Sequence, residues 1–461
     1  MKKMNLIFVP YFIAIFLLLV TNAEAAMINA SSCSETHVKE AINKTSSGDT
    51  VVVPAGKCTW SSGVTIPNGV TLRGAGIGST VISSSSFITT NLGNSSRITG
   101  FEFTNGFAKG YCTQNWVADY CKFTAVAYDS NGQYIGSSSC SDHPAGVYHK
   151  CTLEHMRFII EGTSIPSKDW YTNYPPLGGT DHVIYFEGCT FNSYGDYNNG
   201  VDSTRGGARV VRFSTINDCP MGSHGASASA ARGTVRHSMY RNTWNHSSIS
   251  TSSYAWWFRG GSGMIFDNTC KGEAAYCDAS IDFERAYRPE LTICNSSTGY
   301  ETVPHPEGGL PNYMCRDGVG TGKDLGPNPQ PPTYTYGQES SPLYIWNQTN
   351  INFGTSNGAE AWVIENRDYY RDKGLGGVTT GLYANRPTCN ASKKNHGYWA
   401  TDMGGNWNAT DEWGGADGAL YVCDGVSTWN LHYTPAPYPH PLLQAVTGEV
   451  IPKPPVGFGI N

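Results

Sequence analysis

Residues 48–82 read GDTVVVPAGKCTWSSGVTIPNGVTLRGAGIGSTVI. Four short β-branched runs lie within them: Thr50–Val53, Val64–Ile66, Val70–Leu72 and Thr80–Ile82, each stopped by Gly, Pro or Asn. Runs this short cannot make helices, and their regularity excludes disorder, so strands and tight turns are expected. No hairpin dipeptide joins them, which points to a chain that winds rather than doubles back. A related unit then recurs: RITGFEFTN (97–105), LEHMRFIIEG (153–162), VIYFEGCTFN (183–192), VVRFSTIND (210–218), RHSMYRNTWN (236–245), MIFDNTC (264–270), LYIWNQTN (343–350) and WVIENRDYY (362–370). The central units are offset by roughly 25 to 28 residues, a solenoid period too long for hairpins. No coil can bury its apolar face alone; stacking makes the core.

Residues 31–45 before the first run form the pattern of a short amphipathic helix. Ser34 is the expected N-cap, Glu35 suits the first turn, and Val38, Ala41 and Ile42 share a face. Laid over the open end of a solenoid, such a helix covers unpaired strand edges. The Gly/Ser/Asn/Pro-rich stretches 106–150, 163–181 and 371–420 read as loops, and 271–341 as the largest excursion. These segments place one solenoid domain over 26–443, followed by a Pro/Gly-rich tail at 444–461.

Residues 1–25 read as a secretory signal: Lys2 and Lys3, the apolar run Leu6–Val20, then Ala23-Glu24-Ala25 before Ala26. The apolar run is short for a membrane span of about 20 residues, so cleavage and an extracellular or cell-surface location are expected, with no membrane span. The fourteen cysteines then meet an oxidising compartment. Proximity suggests Cys33/Cys58, Cys112/Cys121, Cys270/Cys277, Cys294/Cys315 and Cys389/Cys423, although spacing alone does not fix connectivity. The absence of any C-x-x-C pair speaks against a zinc cluster. Charged residues are 15% of the chain and the net charge is −6, which excludes the basic stripe of a nucleic-acid partner.

The opening GDTVVVPAGKCTW…VTIPNGVTLRGAG…TVI, the coil units, and the later SPLYIWNQT (341–349), VIENRDYY (363–370) and YTPAPYPHPL (433–442) resemble right-handed parallel β-helix proteins of the pectate-lyase-like superfamily, with secreted bacterial members of undefined activity. The resemblance covers most of 31–443. It implies an all-β, right-handed parallel β-helix with an N-terminal capping helix and long loop excursions. It leaves the chemistry open, because β-helices serve lyases, hydrolases, tailspikes and adhesins. The polygalacturonase-type signatures are not reproduced: only Ser223-His224-Gly225 stands for the Gly-His-Gly, and Trp244 follows Asn242-Thr243.

In a solenoid, loops of neighbouring coils stack into a groove. The units place loop 193–207, with Asp196, Asp202, Arg205 and Arg209, beside loop 218–233, with Asp218, His224 and Arg232. Asp181 and His182 enter the first coil, and Arg259 lies in the third. This is the densest titratable cluster of a charge-poor chain, and a polysaccharide groove is the expectation. A lyase needs a base and a positive group to neutralise the uronate carboxylate. His224 is the candidate base, Arg205 and Arg232 the candidate neutralisers. A hydrolase needs two carboxylates across the bond, for which Asp181, Asp202 and Asp218 are the candidates. Asp181, His182, Arg259 and Trp257 are the expected substrate contacts; in a strand, Trp256 and Trp257 face opposite sides, so one is core and the other exposed. Trp399, Trp407 and Trp413 offer further rings, for sugars or for packing.

GDYNNGVD (195–202) offers Asp196, Asn198 and Asp202 as the oxygen ligands calcium takes, but a Gly/Asn-rich turn has the same composition, so no metal is assigned. Glu187, Arg212 and Tyr240 fall in one column, which reads as a solvated ladder with a salt bridge. The rival to an enzyme is a non-catalytic adhesin, or a structural β-helix protein that self-associates.

Overall fold

The computed structural model describes residues 25–125, 133–136, 140, 143–162, 182–192, 200–225, 232–246, 256–271, 277–281, 302–304, 313–315, 317–326, 337–355, 363–404, 407 and 418–445. The signal-like segment up to residue 24, the 163–181 stretch and the tail beyond 445 lie outside them. No described helix is long and apolar enough to cross a membrane.

The strands wind into a parallel β-helix. A twelve-stranded sheet runs from Met27–Asn29 to Tyr369–Arg371, a ten-stranded sheet from Gly56–Thr59 to Thr269–Cys270, and a seven-stranded sheet from Gln133–Ile135 to Asn352–Thr355. Neighbours within each sheet belong to successive coils and pair in parallel, as Ile184–Glu187 does with Ala208–Arg212 and that strand with Arg236–Tyr240. The alternation of side chains explains the core. In Thr190–Asn192, Thr215–Asn217 and Thr243–Asn245 the central Phe191, Ile216 and Trp244 point inward and are buried, while Thr and Asn are half-buried outside. The outer Asn side chains stack by hydrogen bonds, Asn217 to Asn192 at 2.7 Å and Asn245 to Asn217 at 2.8 Å.

The corner from the twelve- to the ten-stranded sheet is the same in seven coils. One residue takes a left-handed conformation: Tyr120, Lys150, Gly188, Phe213, Arg241, Asp267 or Asn347, with φ between 49° and 61°. Only Gly and Asn adopt that region easily. What holds the others is the next residue, which turns inward: Cys121, Cys151, Cys189, Ser214, Asn242, Asn268 and Gln348, all buried. The Ser214 hydroxyl accepts from the Cys189 N–H at 3.1 Å, Asn242 Oδ1 from the Ser214 N–H at 3.0 Å, and Asn268 Oδ1 from the Asn242 N–H at 3.1 Å. These bonds satisfy backbone donors that the turn takes out of the sheet.

The N-terminal helix, Glu35–Ile42, starts where expected. Ser34 accepts from the His37 N–H, and Val38, Ala41 and Ile42 are buried against Val51, Val53 and Trp60 at the end of the solenoid. Four disulfides form among the described residues: Cys33–Cys58, Cys112–Cys140, Cys270–Cys277 and Cys389–Cys423. The expected Cys112/Cys121 pair is therefore wrong. Cys121 is a free buried thiol of the inner corner, in line with Cys151 and Cys189, while residues 112 and 140 are separated by 28 positions, about one coil. Cys294 lies outside the described residues.

Two further expectations are corrected. The 106–150 stretch is not a loop: it supplies Trp116–Asp119, Lys122–Thr124, Gln133–Ile135 and Gly146–His149 to the three sheets. The 371–420 stretch supplies Val378–Gly381 and Gly397–Ala400 to a separate four-stranded sheet, completed by Ala419–Cys423 and Trp429–Tyr433. Its residues Trp399, Leu420 and Tyr433, with Trp407 and Tyr438, pack on the outer side chains Tyr185, Val210, Tyr240, Phe266 and Trp346 of the twelve-stranded sheet. Trp399 and Trp407 are thus buried packing residues rather than sugar platforms; Trp413 lies outside the described residues.

This cover also changes the Glu187 column. Register places Glu187 beside Arg212 and Arg212 beside Tyr240, as expected, but the column is not solvated. Glu187 and Arg212 are fully buried. Arg212 donates through Nε and Nη2 to Glu187 at 3.0 and 2.6 Å, and to the carbonyls of Ala436 and Pro437 at 2.6 and 2.7 Å. Glu187 also accepts from the His440 N–H at 2.9 Å and contacts His149 Nδ1 at 2.8 Å.

Candidate functional site

The twelve-stranded sheet is covered and its corner to the ten-stranded sheet is tight. Connections of varied length leave instead from the seven-stranded sheet: among the described residues, Phe158–Glu161 is followed in the solenoid by Ile184–Glu187, and Asp278–Ile281 by Leu343–Trp346, with the antiparallel pairs Thr302–Pro304/Tyr313–Cys315 and Thr321–Asp324/Gln338–Ser340 between. The outer face of this sheet is where a groove can form.

Its outer column follows from register. Tyr134 pairs with Ile159 and Ile159 with Asp202; the neighbouring Val201–Met221 pair brings Asp202 to Gly222; Gly222 pairs with Trp257, and Trp257 with Ser280. Trp256 faces the core and is fully buried, while Trp257 is half-buried outside.

Asp202, His224 and Arg259 come together here. Asp202 Oδ2 lies 2.8 Å from His224 Nε2, and Arg259 Nη2 lies 2.7 Å from the same nitrogen. Arg157 Nη2 donates to Asp202 Oδ2 at 3.1 Å, and the Ser203 N–H donates to Asp202 Oδ1 at 2.8 Å. The Arg259 guanidinium stacks over the Trp257 ring, 4.6 Å from its centroid. Burial alone would raise the Asp202 pKa. The charge and hydrogen bond of His224, with Arg259 and Arg157, outweigh it and hold the carboxyl well below the usual carboxylate range.

Exposure separates the roles available. His224 is 22% exposed, Arg157 20% and Arg205 33%, against 1% for Asp202; Arg259 is buried. Arg205 stands at the edge of the face, where Nη1 bonds Glu161 at 2.7 Å. Arg232 is buried and bidentate to two carboxylates: Nε and Nη2 bond Asp317 at 2.9 and 3.0 Å, and Nη1 and Nη2 bond Asp324 at 2.9 and 3.1 Å. It ties the excursion back to the coil that carries His224. Asp218 lies 3.8 Å from His246 Nδ1 at another corner. His182 sits in a turn with its ring 5.9 Å from that of His143, and Asp181 lies outside the described residues.

Arg157, Glu161 and Tyr134 were not singled out from the sequence. Arg157 and Glu161 sit inside the recognised unit LEHMRFIIEG, and aligning that unit with 201–204 in register would have set them beside Asp202 and Arg205.

Asp196 and Asn198 lie outside the described residues, and Asp202 is already surrounded by three donors, a poor setting for a cation. Among the described residues, the one grouping of possible metal ligands is Cys389, Cys423 and Asp424, whose two cysteines are joined in a disulfide. If Asp202 serves His224 and the arginines rather than calcium, chelation with EDTA leaves the melting temperature unchanged; a drop of several degrees, reversed by calcium, would favour the calcium reading of 195–202.

No family model matches the chain, and no curated protein matches it. Among solved structures it is similar to an alginate lyase from Paenibacillus sp. str. FPU-7, at 12% identity and TM-score 0.33 over 55% of this chain and 93% of that one. It is also similar to the catalytic domain of a GH87 α-1,3-glucanase, at 12% identity and TM-score 0.32 over 77% and 68%, and to the PL6 family alginate lyase AlyGC, at 10% identity and TM-score 0.31 over 76% and 53%. Likeness this distant leaves the function to be argued from the residues themselves.

Proposed function

We propose that the outer face of the seven-stranded sheet binds an acidic polysaccharide outside the cell and that His224 cleaves it by β-elimination. The observation that carries this reading is the Asp202–His224–Arg259 constellation beside the accessible Arg157. An ionised Asp202 favours the tautomer in which Nε2–H donates to it, which leaves the lone pair on Nδ1. Nδ1 then takes the proton from the carbon next to the uronate carboxylate. The electron pair left behind forms a carbon–carbon double bond, and the glycosidic oxygen departs with its bonding pair and takes a proton from solvent water, the imidazolium later returning its own proton to solvent. Arg157 and Arg205, the half-buried guanidiniums of this face, would neutralise the carboxylate as charge builds on it. With Nε2–H given to Asp202, buried Arg259 is no hydrogen-bond donor to His224; it packs its guanidinium on Trp257 and sets a positive charge beside the imidazole. Arg232, with both its carboxylates satisfied, is a scaffold residue in this reading rather than a substrate contact.

A hydrolase needs one carboxyl that stays protonated. Among the described carboxyls of this face, Asp202 is held ionised and Glu161 is paired with Arg205, which supports elimination over hydrolysis. Because the folded-state pKa of Asp202 is depressed, its ion pairs persist as pH falls through the ordinary carboxylate range and are lost only in stronger acid. A fall in activity on mild acidification therefore belongs to a group other than Asp202, and because Asp202→Asn removes the anion 2.8 Å from His224 Nε2, that variant is expected to move the acid limb of the pH–rate profile to lower pH as well as to lower the rate.

The deciding experiment incubates the mature protein with polygalacturonate, alginate and neutral glucans, following ultraviolet absorbance and reducing ends together. Both rising on a polyuronate is the expected result. Reducing ends without absorbance would overturn elimination in favour of hydrolysis. Neither signal would leave the adhesin or structural role.

A further inference from the structure

We infer that Tyr134 and Trp257 are two sugar-stacking platforms on opposite sides of the Asp202–His224 centre, and that a polymer chain lies across both along the solenoid axis. The inference rests on the polysaccharide reading above and adds the direction and the length of what is bound.

Register carries it. Both rings belong to the single outward column Tyr134, Ile159, Asp202, Gly222, Trp257, Ser280. Tyr134 is 39% exposed between the buried Gln133 and Ile135. The residues separating it from Trp257 do not reach solvent: Ile159 and Asp202 are buried, and Gly222 has no side chain. Tyr134 and Trp257 are thus the accessible side chains of the column, and His224 and Arg157, each about a fifth exposed, are the reachable polar groups between them.

Trp257 is held in place by Arg259, whose guanidinium covers one ring face and also reaches His224. The ring that would hold one sugar is therefore coupled to the side chain that would attack its neighbour. Four strand steps separate the two aromatics, about 19 Å at ordinary sheet spacing. That span exceeds a disaccharide and suits a short oligomer. Stacking on ring faces does not depend on charge, so the platforms set the path and length of the polymer while the arginines select for acid.

The test is calorimetric binding of polygalacturonate oligomers, dimer against hexamer, with a neutral β-glucan hexamer as second probe. The full chain is used in the His224→Gln background so that the ligand survives. Tyr134→Ala and Trp257→Ala are each expected to weaken hexamer binding about tenfold, the size of one stacking contact. Dimer binding should fall in at most one of the two, and Tyr134→Phe should restore the hexamer affinity. Unchanged melting temperatures check that both variants fold.

Hexamer affinity that neither alanine variant alters would overturn the platforms and leave the acidic-polysaccharide reading standing. Binding of the neutral hexamer alone, lost in both variants, would support the platforms and overturn the acidic preference. Binding of neither probe would overturn both.

Discussion

Replacing Arg212 by alanine is expected to lower the stability of the folded chain by about 3–5 kcal/mol, the usual cost of stripping one partner from a buried ion pair. Glu187 would remain fully buried with its guanidinium gone, and the carbonyls of Ala436 and Pro437 would lose their donor. The loss is a large fraction of the 5–15 kcal/mol that holds a typical domain folded. Urea titration measures it, and limited proteolysis should show the segment after Tyr433 cut first. A loss below about 1 kcal/mol would mean that the pair is not the anchor described.

The same pair sets an acid limit. Burial would raise the Glu187 pKa, but Arg212 and the His149 hydrogen bond win and bring it down to about 2 from an ordinary 4.5. A depressed carboxylate stabilises the fold fully above its unfolded pKa, and that contribution is lost as pH falls through the folded one. Stability is therefore expected to decline between about pH 4.5 and 2. A Glu187→Gln chain, already weaker at neutral pH, should show a shallower decline over that window.

The second large effect concerns the groove. His224→Gln is expected to reduce the initial rate of polyuronate cleavage by about 10²–10⁴-fold, the range for losing a general base. Oligomer affinity should change far less. Asp202→Asn should also be slow, because an amide can donate to Nε2 and so favours the tautomer with its proton on Nδ1. If His224 and Arg259 act through one contact, the double variant His224→Gln/Arg259→Met will be little worse than His224→Gln alone. A His224→Gln chain that cleaves at the wild-type rate would remove histidine from the mechanism.

The winding of the chain was readable because it is local. Short β-branched runs, Gly and Asn stops and a near-constant offset are properties of neighbouring residues, and Ser34 with its helix follows from the same kind of signal. The corner residues were less readable. Gly188 suits a left-handed turn by itself, but Tyr120, Phe213 and Arg241 adopt it only because the following side chain is locked into the inner ladder. Disulfides were misread where sequence nearness was taken for spatial nearness. In a solenoid, residues nine apart face different sheets, and those about one coil apart stack, which is why Cys112 finds Cys140.

The site was partly readable for the same reason. Asp202, His224, Arg259 and Trp257 converge because they lie on successive strands of one sheet. The pairing of Arg232 was not readable, because its partners Asp317 and Asp324 come from an excursion more than eighty residues later. The Glu187 ladder looked solvated for want of a local sign that residues 436–440 return to cover it.

That return sets an order on synthesis. Each coil needs only its neighbours, so the solenoid can grow as the chain emerges, N-terminus first. Tyr240, Phe266 and Trp346 are covered by Trp399 and Trp407, but Tyr185 and the Glu187–Arg212 pair must wait for residues 436–440 to arrive. A chain cut short near residue 430 would hold nearly all its strands and still leave Tyr185 and a buried-type ion pair open to other chains. Sealing that corner and protecting the coils beneath it are the same event.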